Sequence, residues 1–126
     1  MVVQQALVQW HLIGTITTGD GKWSWRAPYA GEFTAVGGYI KTLGTGAGTS
    51  TDIQIRNETD SNKDLLSTIG AFEVNSATNL LEAQVINVTN ASFAANDVID
   101  LDVDAISTSP ADAIIWAVIN LFVDDV

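Results

Sequence analysis

The sequence predicts an all-β fold, namely a single antiparallel β-sandwich of about eight strands with a jelly-roll-like arrangement. Three observations support this prediction. Apolar residues recur at every second position in most segments, whereas an amphipathic helix needs a spacing of 3.6 residues. Ile, Val, Thr and Ala are more prominent than the helix formers Leu, Glu and Lys. Loops rich in Gly, Asn, Ser and Asp separate the alternating segments.

Recognisable turns separate the expected strands of the amino-terminal half. Asp20-Gly21 favours a hairpin because Gly adopts positive φ at little cost. Pro28 cannot donate to a strand ladder, and the Gly/Thr-rich segment 44–51 is a flexible loop. Gly37-Gly38 is expected to mark a bulge or a close approach of another backbone. The expected strands are 6–17, 22–26, 32–42 and 52–57.

The carboxyl-terminal half contains shorter and less regular candidates, followed by two clear strands. The segment 80–88 tolerates one or two helical turns, although a strand is favoured. Segment 97–106 has the cleanest alternation, with apolar residues on one side and Asp100, Asp102 and Asp104 on the other. The expected strands are 65–66, 69–74, 80–88, 97–106 and 113–123.

The last expected strand is apolar on both faces. Sandwich strands normally show one face to water, so a second apolar face needs a cover. Leaving each large side chain exposed would forfeit roughly 1.5–3 kcal/mol of burial, which makes contact between subunits the favoured explanation. The sequence therefore predicts a homo-oligomer. The two faces are formed by Ile114, Trp116, Val118 and Phe122 and by Ile115, Ala117, Ile119 and Leu121.

Length and charge limit the possible functions. A chain of 126 residues is expected to form one domain, 1–126, in which residues 1–5 are a candidate amino-terminal contact arm. Five Lys plus Arg against fifteen Asp plus Glu give a formal charge of −10, which opposes binding to nucleic acid or anionic membranes. The amino terminus has no signal-peptide pattern, and the longest apolar run is too short to span a bilayer as a helix.

Catalytic and metal-binding chemistry have little support in the sequence. The chain has no cysteine and no Gly-x-Ser-x-Gly motif, and its one histidine, His11, lies in an apolar strand without a nearby carboxylate. The row Asp100, Asp102 and Asp104 lacks the glycine and closing glutamate of a calcium loop, and its side chains stand roughly 7 Å apart. A solvated acidic face is the favoured interpretation. We expect no enzyme activity, no cofactor and no metal site.

Trp23 and Trp25 admit two interpretations. Two indoles on one side of a strand can stack against sugar rings, with Asp20, Lys22 and Arg26 supplying hydrogen bonds. The alternative is packing in the core or against another protein. Packing is favoured, because glycan sites usually combine exposed aromatic rings with several nearby amides and carboxylates.

Two segments resemble a known class of protein. The order "WRAPYAGEFTAVGGYIKTLGTGAGTSTDIQIRNETDSNKDLLST" at 25–68, followed by "FAANDVIDLDVDAI" at 93–106, is similar to small β-sandwich virion proteins of tailed bacteriophages, and most like head decoration or cement proteins. The resemblance covers about half of the chain and consists of turn and strand signatures. Similar signatures occur in phage fibre and tail modules.

The resemblance implies a structural role on the exterior of the virion, after synthesis in the host cytoplasm. Such decoration proteins are jelly-roll homotrimers that sit over local threefold axes and clamp neighbouring major capsid subunits. The implied partners are therefore further copies of the chain and the major capsid protein. The alternative is a glycan- or receptor-binding module of a phage fibre or tail. Candidates for core or trimer packing are Trp10, Trp116, Ile119 and Phe122; candidates for capsid contact are Met1, Val2, Val3, Trp23, Trp25, Arg26 and Tyr29.

Overall fold

The computed structural model describes residues 1–124, so residues 125–126 of the predicted domain lie outside the described part. Within residues 1–124 there are eleven β-strands and one 3-10 helix, Val88–Asn90. The strands are β1 (Val2–Thr15), β2 (Gly19–Arg26), β3 (Gly31–Thr42), β4 (Ser50–Asn57), β5 (Lys63–Asp64), β6 (Leu66–Thr68), β7 (Gly70–Glu73), β8 (Val85–Ile86), β9 (Ser92–Phe93), β10 (Val98–Ala105) and β11 (Ala111–Val123). This part of the chain has no helix that could cross a bilayer.

The strands form two larger sheets and one small sheet. Sheet A has the order β1-β11-β3-β9, and sheet B has the order β2-β10-β4-β5 with β7 also paired to β4. Sheet C consists of β6 and β8. The paired strands run antiparallel, which confirms the all-β class. The strand count differs from the prediction of about eight in one sandwich, because region 63–93 breaks into several strands of two to four residues.

The apolar core lies between sheets A and B. In β1 the inward residues Val8, Trp10 and Leu12 are buried, as the alternation predicts. The Trp10 indole Nε1 donates a hydrogen bond to the carbonyl oxygen of Ile99 on β10, at 3.4 Å. This bond joins the two sheets. Buried apolar residues from both sheets belong to a single cluster.

Segment 80–88 is neither the expected strand nor a stretch of α-helix. Only Val85–Ile86 lies in a strand, and a 3-10 helix capped by the Asn87 side chain follows. Asn79 and Ala83 adopt positive φ, which interrupts a continuous ladder on both sides of Leu81. Leu81 is nevertheless buried in the core.

Gly37-Gly38 does not form the expected bulge. The irregularity in the β3–β11 pairing lies at Val118/Ile119 instead. Gly37 is covered by the side chain of Trp116, and a Cβ at this position would stand 2.5 Å from the indole Nε1. The missing side chain thus allows an indole ring to lie against the backbone of β3.

The first five residues do not form a separate arm. Residues 2–5 belong to β1 and pair with residues 120–123 of β11. Their side chains remain exposed. The predicted contact segment is therefore an exposed end of sheet A.

Candidate protein-binding surfaces

The start of β1, the end of β2 and the end of β11 lie together at one end of the fold. Val3 lies opposite Phe122 in the β1–β11 ladder. The Phe122 backbone N–H donates to the carbonyl oxygen of Ala30 at 2.8 Å, which holds the β2–β3 loop and Tyr29 at this same end. The chain connections thus gather residues that are distant in sequence.

The exposed apolar side chains at this end form the first candidate surface. Their exposed fractions range from 43% to 74%, which is high for residues of this type in a folded chain. Four of the seven residues predicted to contact the capsid occur here. We call this surface the apolar end; it consists of Met1, Val2, Val3 and Tyr29.

The other three predicted contact residues lie on β2. Trp25 is half-buried and packs edge-on against Phe93, with ring centroids 5.7 Å apart. Trp23 is 45% exposed and lies 6.3 Å from the ring of His11. Arg26 is exposed at the end of the strand. The two indoles do not form an exposed pair, since only Trp23 offers much of its surface to solvent.

The four predicted packing residues divide into two pairs. Trp10 and Ile119 are fully buried in the core. Trp116 and Phe122 are half-buried on the opposite side of β11. The structure therefore separates residues that the sequence grouped together.

The outward side of sheet A is the second candidate surface. Val118 is half-buried beside Trp116, and the paired strand β1 adds Leu7, which is 56% exposed. We call this surface the outer face; it consists of Leu7, Trp116, Val118 and Phe122.

The outward side of sheet B carries a buried ionic network. Arg56 on β4 lies directly opposite Asp100 on β10. Its Nη2 is 2.9 Å from Asp100 Oδ2, and its Nε is 2.9 Å from Asp102 Oδ2. The two carboxylate side chains are only 3% and 4% exposed. The prediction of a solvated acidic face is therefore wrong for Asp100 and Asp102, although Asp104 is exposed.

Further donors complete this network. The Ser24 hydroxyl donates to Asp100 at 2.5 Å, and the Gly21 backbone N–H donates to Asp102 at 2.8 Å. The hydrogen bond with Asp102 is the main cause that raises the pKa of Arg56, so its guanidinium stays charged. Sequence reasoning missed Arg56, because alternation within segment 52–57 does not show that β4 and β10 are neighbours.

Arg56 is surrounded by more carboxylates than it can neutralise. No group of His, Cys, Asp or Glu within residues 1–124 is arranged to hold a metal ion, and the guanidinium itself bridges the two buried carboxylates. We call the carboxylates that act electrostatically on Arg56 or on one another the acidic cluster; it consists of Asp20, Asp52, Glu58, Asp64, Asp100, Asp102 and Asp104.

The acidic cluster makes stability depend on pH. Burial raises the pKa of Asp104, and the charges of Asp102 and Asp20 raise it further. Burial is also the main cause that raises the pKa of Asp64. A carboxyl group with a raised folded-state pKa stabilises the fold below its unfolded pKa, and this contribution is lost as the pH rises through the folded pKa. These two groups therefore oppose folding more at neutral than at mildly acidic pH.

Replacing Asp104 with Asn should raise the thermal midpoint at pH 7 by about 1–3 °C, because it removes one of these repelling charges. We expect Asp104 to oppose folding less as the pH falls from 7 towards about 4, and the substitution should remove this contribution. Thermal unfolding monitored by circular dichroism across this range measures both effects. Glu73→Gln is the control, since Glu73 is not among the carboxylates that act on Asp104. An equal change in both variants would contradict the explanation.

Comparison with known proteins gives a likeness in fold. No protein-family model matches the chain. No curated protein matches it. Among solved structures, the chain is similar to a chain of the "Cyanophage Pam1 capsid asymmetric unit", with 15% sequence identity and a TM-score of 0.59. The match covers 96% of this chain and 85% of that chain. The protein thus shares its β-rich fold with a component of a phage capsid.

Proposed function

We propose that the protein is a phage capsid decoration (cement) protein, which binds the outer surface of the assembled head as a homotrimer and stabilises the shell. The observation that carries this proposal is the combination of an exposed apolar end and a partly exposed apolar outer face in a chain with a formal charge of −10. The shared fold with a phage capsid component supports it. The proposal includes no enzymatic activity and no cofactor.

The strand order supports a jelly-roll interpretation. Along the chain, β1, β3, β9 and β11 belong to sheet A, while β2, β4 and β10 belong to sheet B. Successive long strands therefore alternate between the two sheets in the first half of the chain, as two interlocked Greek keys require. The short strands between 63 and 86 are additions to this plan.

The apolar end is the proposed contact with the capsid. Val2 and Val3 belong to β1, Met1 directly precedes it, and Tyr29 lies in the β2–β3 loop. The β1–β11 pairing and the Phe122–Ala30 hydrogen bond hold these segments in place before binding. A preformed surface loses less conformational entropy on docking. Binding that occurs only on the assembled shell stabilises that shell by mass action, and a trimer strengthens it through effective concentration.

The outer face is the proposed source of trimer contacts. Trp116 lies flat against Gly37, so its ring is held in position by the chain's own backbone. A fixed aromatic ring beside Val118 and Leu7 is suited to an interface between subunits. The acidic cluster on the other sheet remains on the exterior in this arrangement, where like charge keeps decorated particles apart.

Sedimentation with heads that lack the protein tests the proposed function. The natural chain should co-sediment with expanded heads of the phage that carries it and should raise the temperature at which those heads open. Val3→Asp should weaken the binding at least tenfold, because it places a charge in the apolar contact. Leu80→Asp is the matched control, since Leu80 is similarly exposed but lies beside Tyr39, near the other end of β3.

A natural chain that never sediments with heads would overturn the proposal. Equal binding by both variants would exclude the apolar end as the contact. Glycan-array binding that Trp23→Ala abolishes, together with no binding to heads, would favour the glycan-binding alternative. The structure offers that alternative one exposed indole, because Trp25 packs against Phe93.

A further inference from the structure

β1 is a long edge strand whose ladder with β11 is regular from Val2 to Leu12 and shifts register only between Leu12 and Thr15. It forms one edge of sheet A and extends over fourteen residues. It contains no Asp, Glu, Lys, Arg or Pro. Apart from β2, the other edge strands of sheets A and B are β5, β7 and β9, which are only two to four residues long. Proteins normally shorten or charge such edges, because their free N–H and C=O groups recruit other strands.

The edge of sheet B on the same side is β2. It pairs only with β10 among the described strands, so its other edge is also free. The ring contact between His11 and Trp23 shows that β1 and β2 lie side by side at this margin. A cavity of about 320 Å³ lies between them, and its lining includes Ile13, which is 85% exposed. Two unpaired strand edges and a cavity with both polar and apolar lining thus share one margin of the fold.

We propose that the free edge of β1, whose Leu7 belongs to the outer face, pairs with the free edge of β2 in a neighbouring copy, and that three such contacts close the trimer alongside that face. This inference rests on the homotrimer of the proposed function. β1 and β2 are joined by only three residues, 16–18, and therefore run in opposite directions. Rotation about an axis parallel to the strands preserves their direction. The neighbour's β2 therefore meets β1 in the antiparallel sense, which permits a regular ladder.

Charge identifies a second copy as the occupant. Two chains of charge −10 repel each other unless they meet where carboxylates are scarce. β1 carries no formal charge, and β2 carries Lys22 and Arg26 against the single acidic residue Asp20. The contact therefore joins an uncharged strand to a strand of net positive charge. Three identical contacts around one axis also leave no β1 edge free for open-ended association.

The threefold arrangement fixes an approximate register. Rotation moves no residue along its axis, so residues at one height in a copy remain at that height in its neighbour. The ring contact places His11 and Trp23 at the same height along the strands. Because β1 and the neighbour's β2 run in opposite directions, three residues along each strand bring the neighbour's Arg26 to the height of Val8. The outward-facing residues next to Val8 are Leu7 and Gln9. In a shared ladder, whichever of the two lies directly opposite the neighbour's Arg26 would have its Cβ atom about 5 Å from that of Arg26.

Disulfide trapping tests this contact. The natural chain has no cysteine, so only introduced thiols can react. We expect Leu7→Cys/Arg26→Cys or Gln9→Cys/Arg26→Cys to give covalent trimers on a non-reducing gel after mild oxidation. Within one copy these positions lie on the outward sides of two different sheets, which stand about 10 Å apart, beyond the reach of a disulfide. The single-cysteine variants are the controls and should give no covalent trimer.

Light scattering of the natural chain measures its oligomeric state and so shows whether the β1–β2 contact alone or the homotrimer itself is wrong. A trimer for which neither double variant forms covalent trimers would overturn the β1–β2 contact and leave the homotrimer intact. Covalent dimers alone would also overturn it, since a threefold ring joins all three copies. A monomer at every concentration would overturn both the contact and the trimer. Sedimentation with heads tests the decoration role independently.

Discussion

Replacing Arg56 with Met should lower the free energy of unfolding by about 3–5 kcal/mol, because two buried carboxylates would lose their shared cation. Asp100 and Asp102 are almost inaccessible to water, so solvent cannot replace the guanidinium without opening the sheet. The nearby carboxylates of the acidic cluster would add repulsion. Urea unfolding at a fixed protein concentration measures the loss, since dissociation of an oligomer also contributes to apparent stability.

A triple variant shows whether the loss comes from unpaired charge. Arg56→Met combined with Asp100→Asn and Asp102→Asn removes the cation and both buried charges together. We expect it to recover most of the stability that Arg56→Met loses, because neutral amides are less costly to bury than carboxylates. A triple variant as unstable as the single variant would show that packing of the arginine stem, and not charge, is the main contribution of Arg56.

Replacing Trp10 with Ala should cost about 3–5 kcal/mol, because it leaves a cavity between the two sheets. The indole is fully buried and also donates the hydrogen bond to Ile99 that links β1 with β10. This cost approaches the total stability of many domains, which is about 5–15 kcal/mol. Trp10→Phe keeps most of the volume and should give a smaller, measurable loss if the alanine variant fails to fold.

Trp116→Ala is the matched control for Trp10. Its indole is half-buried on the outer face, so truncation should destabilise the isolated fold less than truncation of Trp10. The same variant should weaken association between copies, which light scattering detects as a lower average mass. An equal loss of stability in the two alanine variants would contradict the division between core and outer face.

Trp10 and Trp116 also show what the alternation of apolar residues can predict and what it cannot. The period of two in segments 6–17 and 113–123 predicted which side chains share a face, and Val8, Trp10 and Leu12 are buried as that period requires. Alternation does not indicate which apolar face of the last strand is inside. The pairing of β11 between β1 and β3 decides this, because the side that contains Ile119 meets sheet B.

The buried ionic network depended on pairing between distant strands. Asp100, Asp102 and Arg56 are all visible as outward residues in the sequence, but Arg56 is separated from Asp100 by 44 positions. Only the register of β4 against β10 places them opposite each other. The strand predicted for segment 80–88 does not form for a local reason, since Asn79 just before it and Ala83 within it adopt positive φ.

By itself, the sequence determined the all-β class, most of the long strands and the excess of negative charge, because alternation and composition are properties of neighbouring residues. Tertiary structure decided the strand order, the apolar end and the exposed edge of β1. These features arise when segments such as 2–5 and 120–123, which lie near opposite ends of the described chain, pair in one sheet. Long-range pairing of this kind is set by the fit of whole faces to one core, and no short stretch of sequence contains that information.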